Sequence, residues 1–372
     1  MKLIYLYTNL NWYRIELFRS ISKLMDCKIY ILNGYTVGYK DIEYKPQHED
    51  LDITFLSSEE STYKHLCNLL DKEEFDSIVV PSMNDVFYLK LSTKLARYYN
   101  KKGKTVLYFW EYWPMDRGTY GIGKWAKQQI RHIYTKFNRN QISYFITPSI
   151  NTYSFYQRMN IPSWKLIRCP NVSEIKHEKE TQSSVRTMLG IQDNEKVILF
   201  FGRIEEYKGV HELISAFKKL ERTDWHLVIC GPGEEKIKEV IAKQGNIHAL
   251  GSVRPEERSK YYMAADVFVL ANTYKEKIEP WGLTINEAMS CGLPIIASNA
   301  TGSAIDLVIS GLNGYIINAN RLEKELKYYL WKILSDDDLK KTMGEHSKRM
   351  ISEYTFDNMA MAFYVATEKG KI

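Results

Sequence analysis

The sequence predicts an α/β protein with two domains. Its 372 residues exceed the roughly 100–200 residues of an ordinary domain. Short apolar runs of strand length alternate with segments of helical periodicity, and this alternation is typical of parallel sheets with right-handed crossovers. Ligands of such sheets bind beyond the carboxyl ends of the strands. We therefore expect the functional residues in the loops that follow strands.

Composition and charge narrow the class of protein. Hydrophobic residues make up 45% of the chain, and the formal net charge is +6. The five cysteines lack C-x-x-C spacing, which favours reduced thiols in a cytosol and argues against a zinc site or a disulfide framework; they are Cys27, Cys67, Cys169, Cys230 and Cys291. The first apolar run is too short for a signal peptide, and none reaches the roughly 18 residues that span a bilayer. We expect a cytoplasmic protein.

The first part of the chain is predicted to form one α/β domain, residues 1–172. The expected strands are 3–7, 28–32, 53–56, 77–80, 105–109 and 144–149, and the expected helices are 12–25, 61–70, 85–99 and 121–141. A polar stretch rich in Glu, Lys and Ser follows, and we place a linker at about 173–190.

The helix predicted at 121–141 is basic and amphipathic. Its apolar residues recur at steps of three and four, and no acidic residue interrupts its cations, which are Lys124, Lys127, Arg131, Lys136 and Arg139. We expect the apolar stripe to pack on the sheet, as most such stripes do. The alternative is a helix that lies on an anionic membrane surface. In either case the cationic face would attract lipid-linked or anionic substrates.

The second domain is predicted at 191–354, with a further helix at 355–372. Its expected strands include 196–201, 225–230, 266–270 and 293–298. Two carboxylates, Glu279 and Glu287, bracket the start of a helix that ends at Cys291-Gly292. A helix N-terminus suits a phosphate, and the carboxylates can accept hydrogen bonds from hydroxyl groups on either side of it. This pattern favours a ligand with central phosphates and a sugar at each end, which is a nucleotide-sugar.

Two segments carry a family resemblance. Residues 279–298, E-P-W-G-L-T-I-N-E-A-M-S-C-G-L-P-I-I-A-S, resemble the E-x7-E region of the retaining family-4 (group 1) glycosyltransferases of the GT-B fold, with Trp281 where that family usually has Phe. Residues 202–209 are similar to the family's G-R-x4-K-G pattern. The resemblance is strong in the second half of the chain, where the motifs match. In the first half it is limited to the order of the predicted strands and helices. It implies two Rossmann-like parallel-sheet domains facing a central cleft, with the C-terminal helix crossing back to the first domain.

The resemblance implies a role for each matched residue. Glu279 would bind hydroxyls of the transferred sugar, Arg203 and Lys208 would stabilise the diphosphate leaving group, and Glu287 would hold the ribose. The other expected donor-binding residues are Gly202, Trp281, Gly282, Leu283, Thr284, Val253 and Arg254. No cofactor or metal is implied, because the nucleotide-sugar is a substrate, no D-x-D stands at a strand end, and the basic pair can replace a divalent cation.

The acceptor would enter from the first domain. Glu111 follows the strand 105–109 among aromatic residues that can stack on sugars, so we expect Glu111 and Trp113 at the acceptor site. The alternative is an exposed glutamate in an aromatic-rich loop. The loop 8–11 lacks the Gly-Gly pair common in the family. Its Asn11 either contacts the phosphate or acceptor or caps the helix that begins at Trp12.

With these features, the resemblance implies a retaining enzyme that transfers a hexose-type sugar from a nucleoside diphosphate-sugar to a glycan or lipid-linked acceptor. A cell-envelope or capsular polysaccharide pathway fits this activity. The sequence leaves open whether the cytoplasmic protein lies at the inner face of the cell membrane. Two alternatives remain: a synthase acting on a small sugar or sugar phosphate, and a non-catalytic GT-B partner in a glycosylation complex. We expect no nucleic-acid partner. The lack of G-x-G-x-x-G after a strand in the first half counts against a dinucleotide-dependent dehydrogenase.

Overall fold

The computed structural model describes residues 1–32, 47–82, 86–110, 117–173, 175, 183–241, 244–275 and 278–370. The chain forms two compact units. The first comprises Met1–Asn171 and Thr355–Ile372, and the second comprises Val172–Tyr354. In the described ranges, no helix combines the length and the apolar character needed to cross a membrane.

The first unit is built on a seven-stranded parallel sheet. Its strands are β1 (Lys2–Tyr7), β2 (Asp26–Ile31), β3 (Ile53–Phe55), β4 (Ser77–Val80), β5 (Thr105–Phe109), β6 (Tyr144–Thr147) and β7 (Leu166–Arg168), in the spatial order β3-β2-β1-β4-β5-β6-β7. The helices that connect them are α1 (Trp12–Leu24), α2 (Tyr63–Leu70), α3 (Val86–Lys101), α4 (Arg117–Asn138) and α5 (Ile150–Arg158). Every residue of β4 and β5 is buried, as expected of strands covered on both faces.

The second unit repeats this design with a six-stranded parallel sheet. Its strands are β8 (Lys196–Phe201), β9 (Trp225–Cys230), β10 (Ile247–Ala249), β11 (Val267–Leu270), β12 (Ile295–Ser298) and β13 (Gly314–Ile317), in the order β10-β9-β8-β11-β12-β13. Its helices are α6 (Ser183–Met188), α7 (Val210–Lys218), α8 (Lys238–Ile241), α9 (Arg258–Ala264), α10 (Thr284–Ser290), α11 (Gly302–Leu307), α12 (Leu322–Leu334) and α13 (Asp337–Ile351). The fold class predicted from the sequence, two Rossmann-like parallel-sheet units, is confirmed.

The last helix, α14 (Phe356–Lys369), returns to the first unit as predicted. The Thr355 hydroxyl caps it by accepting the N–H of Asn358 at 3.1 Å. The Ser20 hydroxyl of α1 donates to Asp357 at 2.7 Å, and the ring of Phe363 packs 5.7 Å from that of Tyr5, measured between centroids. The helix is therefore a structural part of the first unit.

Two sequence expectations differ from the structure. The segment expected as a linker at 173–190 contains α6, whose Arg186 donates to Asp266 at 2.8 Å, so this part belongs to the second unit. Most of the apolar stripe of α4, expected to pack on the sheet, faces outward instead, although its Tyr134 packs against the core of the first unit. The buried positions of α4 include the polar residues Gln128, Thr135 and Asn138.

Candidate active site

The candidate site lies at the topological switch point of the second sheet. β8 and β11 are neighbours there, and the strand order continues in opposite directions on either side of them. The loops at their carboxyl ends therefore diverge and leave a crevice, the usual ligand position in open α/β sheets. Lys208 follows β8 and Glu279 follows β11. The two segments singled out in the sequence thus meet at one edge of one sheet.

A glycine fixes the main chain that carries Lys208. Glu206–Lys208 form one turn of 3-10 helix, and Gly209 then adopts a left-handed conformation with φ +66°. A Cβ at Gly209 would lie 1.9 Å from the carbonyl oxygen of Ala271, so only glycine permits the chain to approach β11 this closely. The Thr273 N–H also donates to the carbonyl of Tyr207 at 2.7 Å. The loops after β8 and β11 are therefore joined directly.

The segment that carries Glu279 is held by a second close approach. The Gly302 N–H donates to the Glu279 carbonyl at 2.9 Å, and Glu279 forms an isolated parallel bridge with Thr301. A Cβ at Gly302 would lie 1.8 Å from the carbonyl oxygen of Pro280. The main chain at Glu279 and Pro280 is consequently fixed by the start of α11 and the residue before it.

The side chains of Lys208 and Glu279 form a mostly buried ion pair in which the Lys208 ammonium donates to the Glu279 carboxylate. Burial acts to lower the pKa of Lys208, but the Glu279 carboxylate outweighs it and the net change is upward. Lys208 is therefore charged at neutral pH. The pair places one cation and one hydrogen-bond acceptor side by side at the switch point.

Arg203 supplies a second cation in the same loop. Its Nη2 donates to the Tyr207 hydroxyl at 3.2 Å, and its Nη1 lies 3.3 Å from a carboxylate oxygen of Glu205. Burial acts to lower the pKa of Arg203, and the neighbouring Tyr207 and Glu205 raise it overall. Half of the side chain remains exposed, so its guanidinium is accessible to an anionic ligand.

Glu287 is the most enclosed of the predicted residues, with its side chain 1% exposed. It accepts hydrogen bonds from Arg258 Nη1 at 3.0 Å, the Ser173 hydroxyl at 2.9 Å and the Tyr262 hydroxyl at 2.8 Å. Burial, reinforced by the Glu287 charge, raises the pKa of Tyr262 well above its ordinary value, so this hydroxyl stays protonated and donates.

The three partners of Glu287 were not predicted from the sequence. Arg258 and Tyr262 are spaced i, i+4 on α9, so both lie on one helix face. This spacing does not identify the acid that they contact. Ser173 lies at the start of the segment that was assigned to the linker.

The other predicted donor-binding residues divide by burial. The indole of Trp281 is buried in the core and donates to Asn286 Oδ1 at 2.9 Å, and the side chain of Val253 is also buried. Their predicted donor-binding role therefore falls to the main chain, which is the kind of contact expected for Val253 and Arg254 beside the base. Arg254 is exposed, and Gly202, Leu283 and Thr284 are partly exposed. Gly282, with φ +93°, precedes α10, which has seven residues.

Of the predicted acceptor residues, only Asn11 can be located. Glu111 and Trp113 lie outside the described residues. Asn11 occupies the N-cap position of α1, but its side chain makes no capping hydrogen bond. Its Nδ2 instead donates to the hydroxyls of Tyr7 at 3.1 Å and Tyr13 at 3.0 Å. The capping alternative for this side chain is therefore wrong.

A buried arginine lies one turn further along α1. Arg14 Nη2 donates to Asn171 Oδ1 at 3.0 Å, and its guanidinium carbon lies 4.9 Å from the ring centroid of Phe109. The first turn of α1 is thereby tied to the end of β5 and to the last residue of the first segment of this unit. Within the described ranges, no three His, Cys, Asp or Glu residues form a group that can hold a metal ion.

Comparison with known proteins shows what the second half of the chain is similar to. Residues 182–350 match the family described as Glycosyl transferases group 1. The uncharacterized glycosyltransferase MJ1607 of Methanocaldococcus jannaschii is 31% identical over 188 residues, 49% of this chain and 47% of that protein. An alpha-monoglucosyldiacylglycerol synthase of Streptococcus pneumoniae is 35% identical over 127 residues, 32% of this chain and 28% of that protein. The chain spans about half, or less, of the length of the curated relatives it matches.

The fold agrees over the entire chain. The crystal structure of Anabaena Alr3699/HepE in complex with UDP and glucose superposes with a TM-score of 0.73 at 15% identity and covers 100% of both chains. The match to the family lies in the unit that carries Lys208, Glu279 and Glu287, and the two-sheet architecture is that of the GT-B glycosyltransferases. Residues 182–350 are thus similar to the group 1 glycosyltransferases, and the fold of the chain is GT-B.

Proposed function

We propose that this protein is a retaining glycosyltransferase that moves a hexose-type sugar from a nucleoside diphosphate-sugar to a glycan or lipid-linked acceptor. The observation that carries the proposal is the Lys208–Glu279 pair beside the half-exposed Arg203, at the switch point of the second sheet. UDP-glucose is the first donor to test, because the HepE structure contains UDP and glucose.

The proposed reaction uses the two cations on the leaving group. As the bond between the sugar C1 and the diphosphate oxygen breaks, negative charge grows on the departing phosphate, and Arg203 and Lys208 stabilise it. The acceptor hydroxyl forms the new bond to C1 on the same face, and its proton passes to the leaving phosphate. Glu279, whose carboxylate is already oriented by Lys208, accepts hydrogen bonds from the sugar hydroxyls. We propose that no metal ion is required, since these cations occupy its place.

Glu287 is proposed to hold one ribose hydroxyl. An ionised carboxylate has about four lone-pair directions, and three donors already occupy Glu287. One direction is left, and the existing donors hold the group in a single orientation. In this interpretation Arg258 and Tyr262 act through Glu287 and do not touch the nucleotide.

The acceptor is proposed from the relatives. The name of the Streptococcus pneumoniae synthase states a diacylglycerol-based product, which supports a lipid-linked acceptor here. The acceptor would bind to the first unit near Asn11, and Glu111 and Trp113 remain the proposed acceptor residues on the loop after β5. A cytoplasmic enzyme of cell-envelope or capsular polysaccharide synthesis is consistent with this choice.

Nucleotide release without added acceptor tests the proposal. Wild type would be assayed with UDP-, GDP-, ADP- and dTDP-sugars beside Glu279→Gln and Arg203→Ala. Glu206→Gln and Arg222→Ala serve as matched controls, since both residues are exposed and outside the pair. We expect wild type to hydrolyse one donor slowly, and both site variants to hydrolyse it at least a hundredfold more slowly. The control variants should keep the wild-type rate, and EDTA should not change that rate. A protein that binds and hydrolyses none of these donors is instead a non-catalytic partner.

A further inference from the structure

The outer face of α4 is an exposed apolar row. Ile122, Ile130, Ile133 and Phe137 are 62%, 46%, 52% and 78% exposed. They follow the non-helical Gly121 at spacings of eight, three and four residues. At 3.6 residues per turn these spacings keep all four on one side of the helix. Soluble proteins rarely expose a contiguous row of large aliphatic and aromatic side chains unless something binds it.

The buried side chains of the same helix include three polar ones. Gln128, Thr135 and Asn138 are nearly fully buried. The Thr135 hydroxyl donates to the carbonyl of Arg131 at 2.9 Å, and Asn138 Nδ2 donates to the carbonyl of Tyr134 at 2.8 Å. Because the Thr135 hydroxyl and the Asn138 Nδ2 hydrogen-bond to their own helix, these donors can face inward at low cost. Tyr134 packs against the core, but the most exposed apolar side chains of the helix point away from it, unlike those of an ordinary surface helix.

The part of the sequence that contains this row is strongly basic. Between residues 86 and 173 the sequence has fifteen Lys and Arg residues and two acidic residues, Glu111 and Asp116. The remainder of the chain therefore carries 36 basic and 43 acidic residues, so the net charge of +6 arises entirely from this stretch. On α4 the exposed cations Lys127 and Lys136 flank the row, and on the adjoining α3 Lys90, Lys94 and Arg97 are exposed.

We infer that the outer face of α4 docks on a lipid bilayer that contains anionic lipid. The apolar row would enter the boundary between head groups and acyl chains, with the helix parallel to the membrane plane. The cations of α3 and α4 would contact the anionic head groups, each contributing to the attraction within a Debye length of the surface. The one-signed charge favours an anionic bilayer over a second copy of this chain, since two such faces would repel each other.

Cosedimentation with vesicles tests this inference without donor or acceptor, so its outcome is separate from that of the proposed activity. Vesicles of phosphatidylcholine alone and of phosphatidylcholine with phosphatidylglycerol in equal parts would be compared at 0.1 M salt. The variants are Ile130→Ser/Ile133→Ser/Phe137→Ser and Lys127→Glu/Lys136→Glu. The control, Tyr328→Ser/Trp331→Ser, removes two exposed aromatic side chains from α12 of the second unit.

We expect wild type and the control to bind the anionic vesicles, with at least tenfold weaker binding of the triple serine variant. The double glutamate variant should weaken binding by a similar factor, and raising the salt to 0.5 M should weaken wild type. Circular dichroism confirms that each variant is folded, and nucleotide release should be unchanged in all. Absence of binding by wild type, or equal binding by the triple variant, overturns the inference. A wild-type dimer that the triple variant converts to a monomer, without vesicle binding, would assign the row to self-association and also overturns it.

Discussion

Asn272 follows β11 directly, beside the loop that carries Lys208. Its side chain is fully buried, yet within the described chain neither Oδ1 nor Nδ2 has a hydrogen-bond partner. Its main-chain carbonyl, in contrast, accepts from the Ser298 hydroxyl at 2.6 Å. A buried amide left unpaired costs roughly 1–3 kcal/mol, and such groups call for a specific explanation, such as a ligand or an ordered water. Its position at the switch point favours a role in donor binding.

Replacing this amide tests that role. We expect Asn272→Leu, which is close in volume, to raise the free energy of unfolding by about 1 kcal/mol, because an unpaired polar group is removed. Nucleotide release should fall at least tenfold. Thermal unfolding and the donor assay measure the two effects on the same sample. A variant that is more stable and equally active would show that Asn272 has no function in the site.

Arg258 is expected to matter through Glu287. Both side chains are almost fully buried, at 5% and 1% exposed, so removing the arginine leaves a buried carboxylate with only its two hydroxyl donors. We expect Arg258→Leu to lower the free energy of unfolding by about 3–5 kcal/mol. The double variant Arg258→Leu/Glu287→Leu removes both charges and should recover most of this loss. Equal stability of the single and double variants would contradict the assignment of the penalty to the unpaired acid.

At the scale of elements, Glu73 ties the first two strands of the first sheet together. Its carboxylate accepts from Lys2 of β1 at 2.8 Å and from Lys28 of β2 at 2.7 Å, and also from the Tyr30 hydroxyl. Burial acts to raise the pKa of Glu73, but the bonds from the two lysines and the tyrosine outweigh it and lower the pKa to about 2. The tie therefore depends on pH.

The sign of this dependence follows from the lowered pKa. The stability that Glu73 contributes is complete above its unfolded-state pKa, near 4.5, and is lost as the pH falls through about 2. We expect Glu73→Gln to destabilise the first unit by roughly 1–3 kcal/mol at pH 7. The difference from wild type should shrink steadily between pH 4.5 and 2. Denaturant unfolding at several pH values measures it, and a constant difference would argue against the ion pairs.

The elements of both sheets could largely be predicted because strands buried on two faces appear as continuous apolar runs, as in Val197 to Phe201. The short strand β7 was not predicted, since Leu166–Arg168 contains too few residues for such a signal. The orientation of α4 was predicted wrongly for a different reason. Periodicity shows that the helix has an apolar side, but it does not show which side contacts the sheet. A polar residue whose side chain hydrogen-bonds to its own helix, such as Thr135, permits the observed orientation.

The same contrast holds in the candidate site. Lys208 and Glu279 could be assigned to one site from the sequence because both lie in segments that resemble the motifs of one family. The partners of Glu287 could not, because Ser173, Arg258 and Tyr262 come together only through packing of segments far apart in the chain. The burial of Trp281 was not predicted either, because an aromatic residue in a loop motif can equally contact a ligand or pack in the core.

At the scale of the whole molecule, the chain builds its first unit from two distant segments. It leaves this unit at Asn171, forms the second unit, and returns at Thr355. The returning helix α14 buries Phe356, Met359, Ala360, Phe363 and Ala366. Phe363 lies between the rings of Tyr5 and Phe109, with centroid distances of 5.7 and 5.6 Å. The first unit is therefore incomplete until the end of the chain has been placed.

Phe363→Ala should consequently affect one unit and spare the other. Removing this buried ring leaves a cavity beside β1 and β5, and we expect the free energy of unfolding of the first unit to fall by about 3–5 kcal/mol. UDP, if it binds the second unit as proposed, should raise only the transition of that unit, by mass action. Differential scanning calorimetry with and without UDP separates the two transitions. In the variant, the transition that UDP does not move should shift to lower temperature, while the UDP-sensitive one stays in place. A single transition that shifts as a whole would instead show that the two units unfold together, and the helix α14 would then stabilise the entire molecule and not the first unit alone.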